Sequence, residues 1–89
     1  MTREEILDQA KQIVSGDRDK QYGQPEDNFA KVAALWANYL ETPIGAEDVA
    51  AMMILFKVAR LIGSEYKSVD SWVDIAGYAA CGGEIAIGD

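Results

Sequence analysis

A chain of 89 residues with 49% hydrophobic content, 26% charged residues and a mean hydropathy of −0.08 is globular in composition and makes one domain at most, over residues 1–89. Its net charge of −7 and pI near 4.4 disfavour direct binding to nucleic-acid backbone or to an anionic membrane. With no histidine and a single cysteine, Cys81, it excludes histidine acid–base chemistry, a histidine-ligated zinc site and an internal disulfide.

The first predicted helix covers residues 2–14. Thr2 and Glu5 have the T-x-x-E spacing of a capping box, and Ile6, Leu7, Ala10, Ile13 and Val14 fall on one apolar stripe. Ser15-Gly16 ends it. The stretch GDRDKQYGQPED, residues 16–27, is polar and without period, with two glycines and a proline, and reads as a loop longer than most helix–helix connections. A second helix starts at Pro25, a favourable first-turn residue, and runs to Leu40. Phe29, Val32, Ala33, Leu35, Trp36, Tyr39 and Leu40 give it a wide apolar face, and ETPIG breaks it.

The third helix is expected over residues 46–62. Gly45 serves as N-cap, Ile44 and Val49 stand as a hydrophobic staple, and Glu47 and Asp48 occupy the first turn, where the helix dipole favours acids. From Val49 to Ile62 only Lys57 and Arg60 interrupt an apolar run, the pattern of a central helix wrapped by others. Gly63 is expected as its C′ glycine. After the short loop SEYKS a fourth helix begins at residues 68–70 and extends toward Ile85. Gly77, Gly82 and Gly83, with Ala76, Ala79, Ala80 and Cys81, make it thin, so that a neighbour can approach closely within the chain or across a dimer. The glycines leave open whether it continues past Gly82-Gly83. Cys81, among small residues, reads as packing, and Trp36 and Trp72 as core anchors. No apolar run reaches the ~20 residues of a membrane span and no leader pattern is visible, so a cytoplasmic protein is expected. The fold class is all-α, a four-helix bundle-like domain, with part of the apolar surplus serving a homodimer or larger homo-oligomer.

Asp70 and Asp74 are four residues apart and share a helix face, as do Lys57 and Arg60, three apart on the preceding helix. A short connection makes these helices antiparallel neighbours, which brings the two acids near the two bases. One reading is structural: four charges in apolar segments neutralise one another, since burying any one alone costs several kcal/mol. The other is chemical. Asp70 and Asp74 are oxygen ligands of the kind Mg²⁺ takes alongside a substrate's phosphates, and Lys57 and Arg60 hold phosphate oxygens. The loop adds Arg18 and Lys20 for phosphate and Tyr22 for stacking on a base, with Asn28 for a base or ribose. Against these stands a solvated loop with one anchoring tyrosine and an ordinary surface asparagine.

The stretches GDRDKQYGQPEDNF, DVAAMMILFKVAR and DSWVDIAGYAA together resemble a family of small phage and prophage proteins of unassigned activity, across nearly the whole chain. More distantly, the order of a YG loop, a helix with K and R, and D-x-x-x-D followed by Tyr is similar to the MazG-like all-α nucleotide pyrophosphohydrolases. That similarity implies a helical, usually oligomeric protein in which clustered acids hold Mg²⁺ against a nucleoside triphosphate and pyrophosphate is released. Of the MazG-like acidic pattern, Asp70 and Asp74 carry over as the second acidic helix. Glu4-Glu5 with Asp8 lies on the first predicted helix, and Glu47-Asp48 is followed by Ala51 where the pattern has an acid.

Three functions follow as expectations. The first is binding of a nucleotide or nucleotide-derived small molecule, extending to Mg²⁺-dependent pyrophosphohydrolysis. The second is a non-catalytic sponge for a host signalling nucleotide, acting against host defence. The third, of another class, is an acidic inhibitor that covers a basic host protein. In each, a phage-encoded chain works in the host cytoplasm.

Overall fold

A computed structural model of the chain describes residues 1–15 and 25–88, with residues 25 and 26 given as backbone. The described residues form four α-helices and no strand: α1 (Arg3–Ser15), α2 (Pro25–Leu40), α3 (Ala46–Gly63) and α4 (Val69–Ile87).

Local signals explain most of the boundaries. At the start of α1 the Glu5 amide donates to Thr2 Oγ1 at 3.2 Å and the Thr2 amide donates to Glu5 Oε1 at 3.1 Å, the reciprocal capping box expected from the spacing. Gly45 caps α3, and its own amide donates to Asp48 Oδ2 at 2.8 Å. Ser68 caps α4: its Oγ accepts from the Ser71 amide at 3.2 Å and lies 2.9 Å from Ser71 Oγ. Gly88, at φ 83°, closes α4 in the left-handed conformation that glycine adopts without steric cost.

Helix α4 runs unbroken through Gly82-Gly83 to Ile87. Packing outweighs propensity here. A Cβ placed on Gly82 would stand 2.7 Å from the Cβ of Ala50, so the missing side chain is what lets α3 and α4 approach. At Gly77 the facing atom is Val14 Cγ1 at 3.5 Å, an ordinary contact that marks where α1 crosses α4. In space the helices lie in the order α1, α4, α3, α2: α1 rests on α4, α4 on α3, and α2 on α3 with slight contact to α4. The core cluster is Phe29, Ala33, Val49 and Ala50, with Trp36, Ile44, Met53 and Tyr78 packed half-buried against it.

Four expectations are corrected. First, the apolar face of α2 is narrower than expected: Phe29 and Ala33 are buried, while Leu35, Tyr39 and Leu40 are exposed, because α2 packs mainly on α3 along one stripe. Second, α3 is not wrapped on all sides. Val49, Ala50 and Leu61 are buried, while Met52, Leu55, Phe56 and Ile62 are exposed, because α2 and α4 cover one side of the helix and no other element reaches the opposite one among the described residues. Third, Trp72 is not a core anchor. It is 42% exposed and lies over the α3–α4 turn, its Nε1–H donating to the Tyr66 carbonyl at 2.9 Å. Fourth, Gly63 is the last helical residue of α3 and not a left-handed C′ residue. The chain reverses instead at Glu65 (φ 55°) and Tyr66 (φ 64°), with the Tyr66 amide donating to Leu61 O at 2.7 Å.

Candidate functional site

The antiparallel packing of α3 on α4 faces Lys57 with Asp74. Their Nζ and Oδ2 atoms are 2.9 Å apart, in a charge-assisted hydrogen bond that is the one ion pair among the described residues. The side chains keep 17% and 25% of their exposure. The pair therefore sits at the margin of the helix interface, shielded by protein yet open to solvent. At such a place the Coulomb attraction is stronger than between fully exposed charges, and a ligand can still reach both groups.

The surroundings follow from helical spacing. Lys57 is on the face of α3 that carries buried Ala50 and Leu61, and its Nζ lies 5.9 Å from the centroid of the Phe56 ring. One turn after Asp74, Tyr78 is half-buried, and its ring centroid is 6.1 Å from that of Phe29 on α2. Asp74, Tyr78 and Cys81 thus form a stripe along α4 that begins at the ion pair and runs into the core cluster.

The remaining predicted residues divide into two groups. Arg60 lies one turn beyond Lys57 and is exposed; Asp70 lies one turn before Asp74 and is also exposed; Arg60 and Asp70 form no ion pair among the described residues. Asn28 is half-buried in the first turns of α2. Arg18, Lys20 and Tyr22 lie outside the described residues. The structure therefore joins one base and one acid of the expected four, and leaves the other two flanking them. No group of three or more Asp, Glu or Cys side chains is placed to hold a metal among the described residues. Asp70 and Asp74 alone, on adjacent turns, fit the one or two carboxylates with which Mg²⁺ is commonly held beside a substrate's phosphates.

The polar turn between α3 and α4 was not legible as a unit in the sequence. Ser64 Oγ donates to Leu61 O at 3.1 Å and accepts from the Ser68 amide at 3.3 Å, and Ser68 in turn caps α4 through Ser71. Three serines spaced by four and three residues around a helix break are the signal. They fix the relative placement of the two helices and hence the register in which Lys57 meets Asp74.

Comparison with known proteins relates this chain to phage sequences. The model of one family, a domain of unknown function (DUF6378), matches residues 5–86. The Gene 55 protein of Mycobacterium phage D29 is 47% identical over 78 residues, covering 88% of this chain and 51% of that protein. The Gene 55 protein of Mycobacterium phage L5 is 44% identical over 75 residues, covering 83% of this chain and 47% of that protein. The chain spans about half the length of the curated relatives it matches. No solved structure matches. No helix among the described residues is long and apolar enough to cross a membrane.

Proposed function

We propose that this chain, which belongs to the DUF6378 family, binds a phosphate-bearing nucleotide or nucleotide-derived small molecule, with Mg²⁺ as the accompanying ion, in the cytoplasm of a phage-infected host. The observation that carries this reading is the Lys57–Asp74 pair at the open margin of α3 and α4. A lone anion arriving there would take Lys57 and leave the Asp74 carboxylate without its partner, at a cost in a partly shielded site. A lone cation would strand Lys57 in the same way. With a cation–phosphate ligand, Lys57 gives its ammonium to a phosphate oxygen and Asp74 gives its carboxylate to the cation. One internal pair then exchanges for two external ones and neither charge is left bare. Arg60 and Asp70, exposed one turn to either side, extend the two halves of the same arrangement.

Binding is favoured over cleavage. Hydrolysis needs a group to activate water beyond the carboxylates that hold the metal, and among the described residues this face supplies only Asp70 and Asp74. A protein of this kind acts by sequestering its ligand, as a sponge for a host signalling nucleotide does. A MazG-like resemblance, read from the order of residues in the sequence alone, implies the same ligand class.

The test is a thermal-shift and calorimetric screen against nucleoside mono-, di- and triphosphates and cyclic nucleotides, each with and without Mg²⁺. A ligand at about 100 times its Kd stabilises by about 2.7 kcal/mol, which is readily seen. The expected result is a shift that depends on Mg²⁺, disappears in Lys57→Met and Asp74→Asn, and leaves the nucleotide intact on recovery. Pyrophosphate release would turn the reading to the hydrolase. The absence of any shift across the panel would sink it.

A further inference from the structure

We infer, resting on the nucleotide reading above, that the exposed ring of Phe56 is the platform on which the ligand's base stacks, so that the Lys57–Asp74 site takes nucleotides with an aromatic base and discriminates against bare phosphates and sugar phosphates. Geometry joins the ring to the site. Lys57 Nζ lies 5.9 Å from the centroid of Phe56 and 2.9 Å from Asp74 Oδ2. The first distance is at the outer edge of a cation–π contact. It is near enough for one small ligand to touch both groups, and too long for the ammonium to occupy the ring.

Helix geometry sets the order of the groups. Successive residues of an α-helix are turned by about 100° around its axis. Lys57 reaches toward α4 and Asp74, so Phe56, the residue before it, is turned out of that interface. Ring, ammonium and carboxylate therefore follow one another from the open side of α3 to α4. A nucleoside phosphate with its cation carries base, phosphate and metal in the same order. Arg60, exposed, lies four residues after Phe56 and three after Lys57, on the face they share. The ring is thus bordered by two cations, where a base tethered to a phosphate is brought to it.

Residue type and exposure fit the role. Phe56 is the one aromatic residue of α3, and it is 53% exposed. The exposed apolar residues near it on the helix, Met52, Leu55 and Ile62, are aliphatic. Truncating an aromatic platform typically costs about five- to 150-fold in affinity per stacked base. Such stacking tolerates base identity, because every base has a π-face. The site is therefore expected to rank ligands by the presence of a base, with little preference for which base it is.

The experiment is calorimetry on the full chain with Mg²⁺ and two matched pairs of ligands: AMP with ribose 5-phosphate, and ATP with inorganic tripolyphosphate. The member that carries a base is expected to bind about tenfold tighter or more. Phe56→Leu is expected to remove that difference and leave the affinity of the base-free member unchanged, and Phe56→Trp to retain it, each with the helical circular dichroism of the parent. In the unaltered chain, labelled at its two phenylalanines, nuclear Overhauser contacts are expected between the adenine protons and the Phe56 ring. Equal affinities within both pairs overturn the inference and leave phosphate binding standing. A base preference that survives in Phe56→Leu, or bound AMP without contacts to the Phe56 ring, does the same. No binding of any of the four overturns the inference, and the wider nucleotide panel then decides the reading on which it rests.

Discussion

Gly82 and Ala50 meet where α4 crosses α3, so closely that a Cβ on Gly82 would stand 2.7 Å from the Cβ of Ala50. Neither atom belongs to a flexible side-chain end, so an added methyl has to push the helices apart. Gly82→Ala is expected to destabilise the fold by about 1–3 kcal/mol, the usual range for overpacking, even though alanine is the better helix former. Gly83, one residue on, meets nothing within 4 Å. Gly83→Ala is expected to stabilise by up to about 1 kcal/mol. Urea denaturation of the two variants checks both signs; equal effects would show that propensity and not helix approach governs this stretch.

Lys57 and Asp74 give a second prediction. Lys57→Met or Asp74→Asn alone is expected to cost about 1–3 kcal/mol, because each leaves the other partner in a partly shielded place without its charge complement. The double replacement Lys57→Met/Asp74→Leu is expected to recover most of that loss. A double-mutant cycle by chemical denaturation measures it. A double variant as stable as the parent and blind to nucleotide would mean that the pair is kept for binding and not for folding.

The Glu5 carboxylate is held below its ordinary pKa, first by the hydrogen bond it accepts from the Thr2 amide and then by the one with the Thr2 side chain. A lowered acid pKa stabilises the folded form above the unfolded value and loses that contribution as pH falls through the folded one. The start of α1 is therefore expected to fray as pH drops below the ordinary glutamate range, about 4.3. Amide exchange at Glu5 and Ile6, followed by NMR against pH, is the measurement. In Glu5→Gln the acid-dependent step should vanish.

Trp72 secures the turn before its own helix, through the bond from Nε1 to the Tyr66 carbonyl at 2.9 Å. That turn holds two non-glycine residues in the left-handed region, Glu65 and Tyr66, which local preference disfavours. Trp72→Phe keeps the ring and removes the donor. It is expected to cost about 1 kcal/mol and to raise the amide exchange rate at Tyr66, whose N–H is bonded to Leu61 O. Unchanged exchange there would mean that the serine bonds at Ser64 and Ser68 hold the turn without it.

The four helices and most of their ends are legible in the linear chain. The capping box of Thr2 and Glu5, Pro25 at the first turn of α2, and Gly45 before α3 act through neighbours three or four residues away, and such local chemistry is written in order along the chain. The linear chain also puts Lys57 and Asp74 within reach of each other, because a short connection leaves two adjacent helices little choice but to lie antiparallel. The rest depends on contacts between residues far apart in the chain. That α4 passes through two glycines depends on Ala50, over thirty residues distant, claiming the space that a side chain would fill. That Arg60 and Asp70 flank the ion pair instead of joining it depends on the rotation of each helix about its axis, which periodicity leaves free. And α3, apolar on every side, reads as central in the linear chain. Only the helices actually packed around it show that, among the described residues, one side is left uncovered, since hydrophobicity specifies that a face must be covered but not by what.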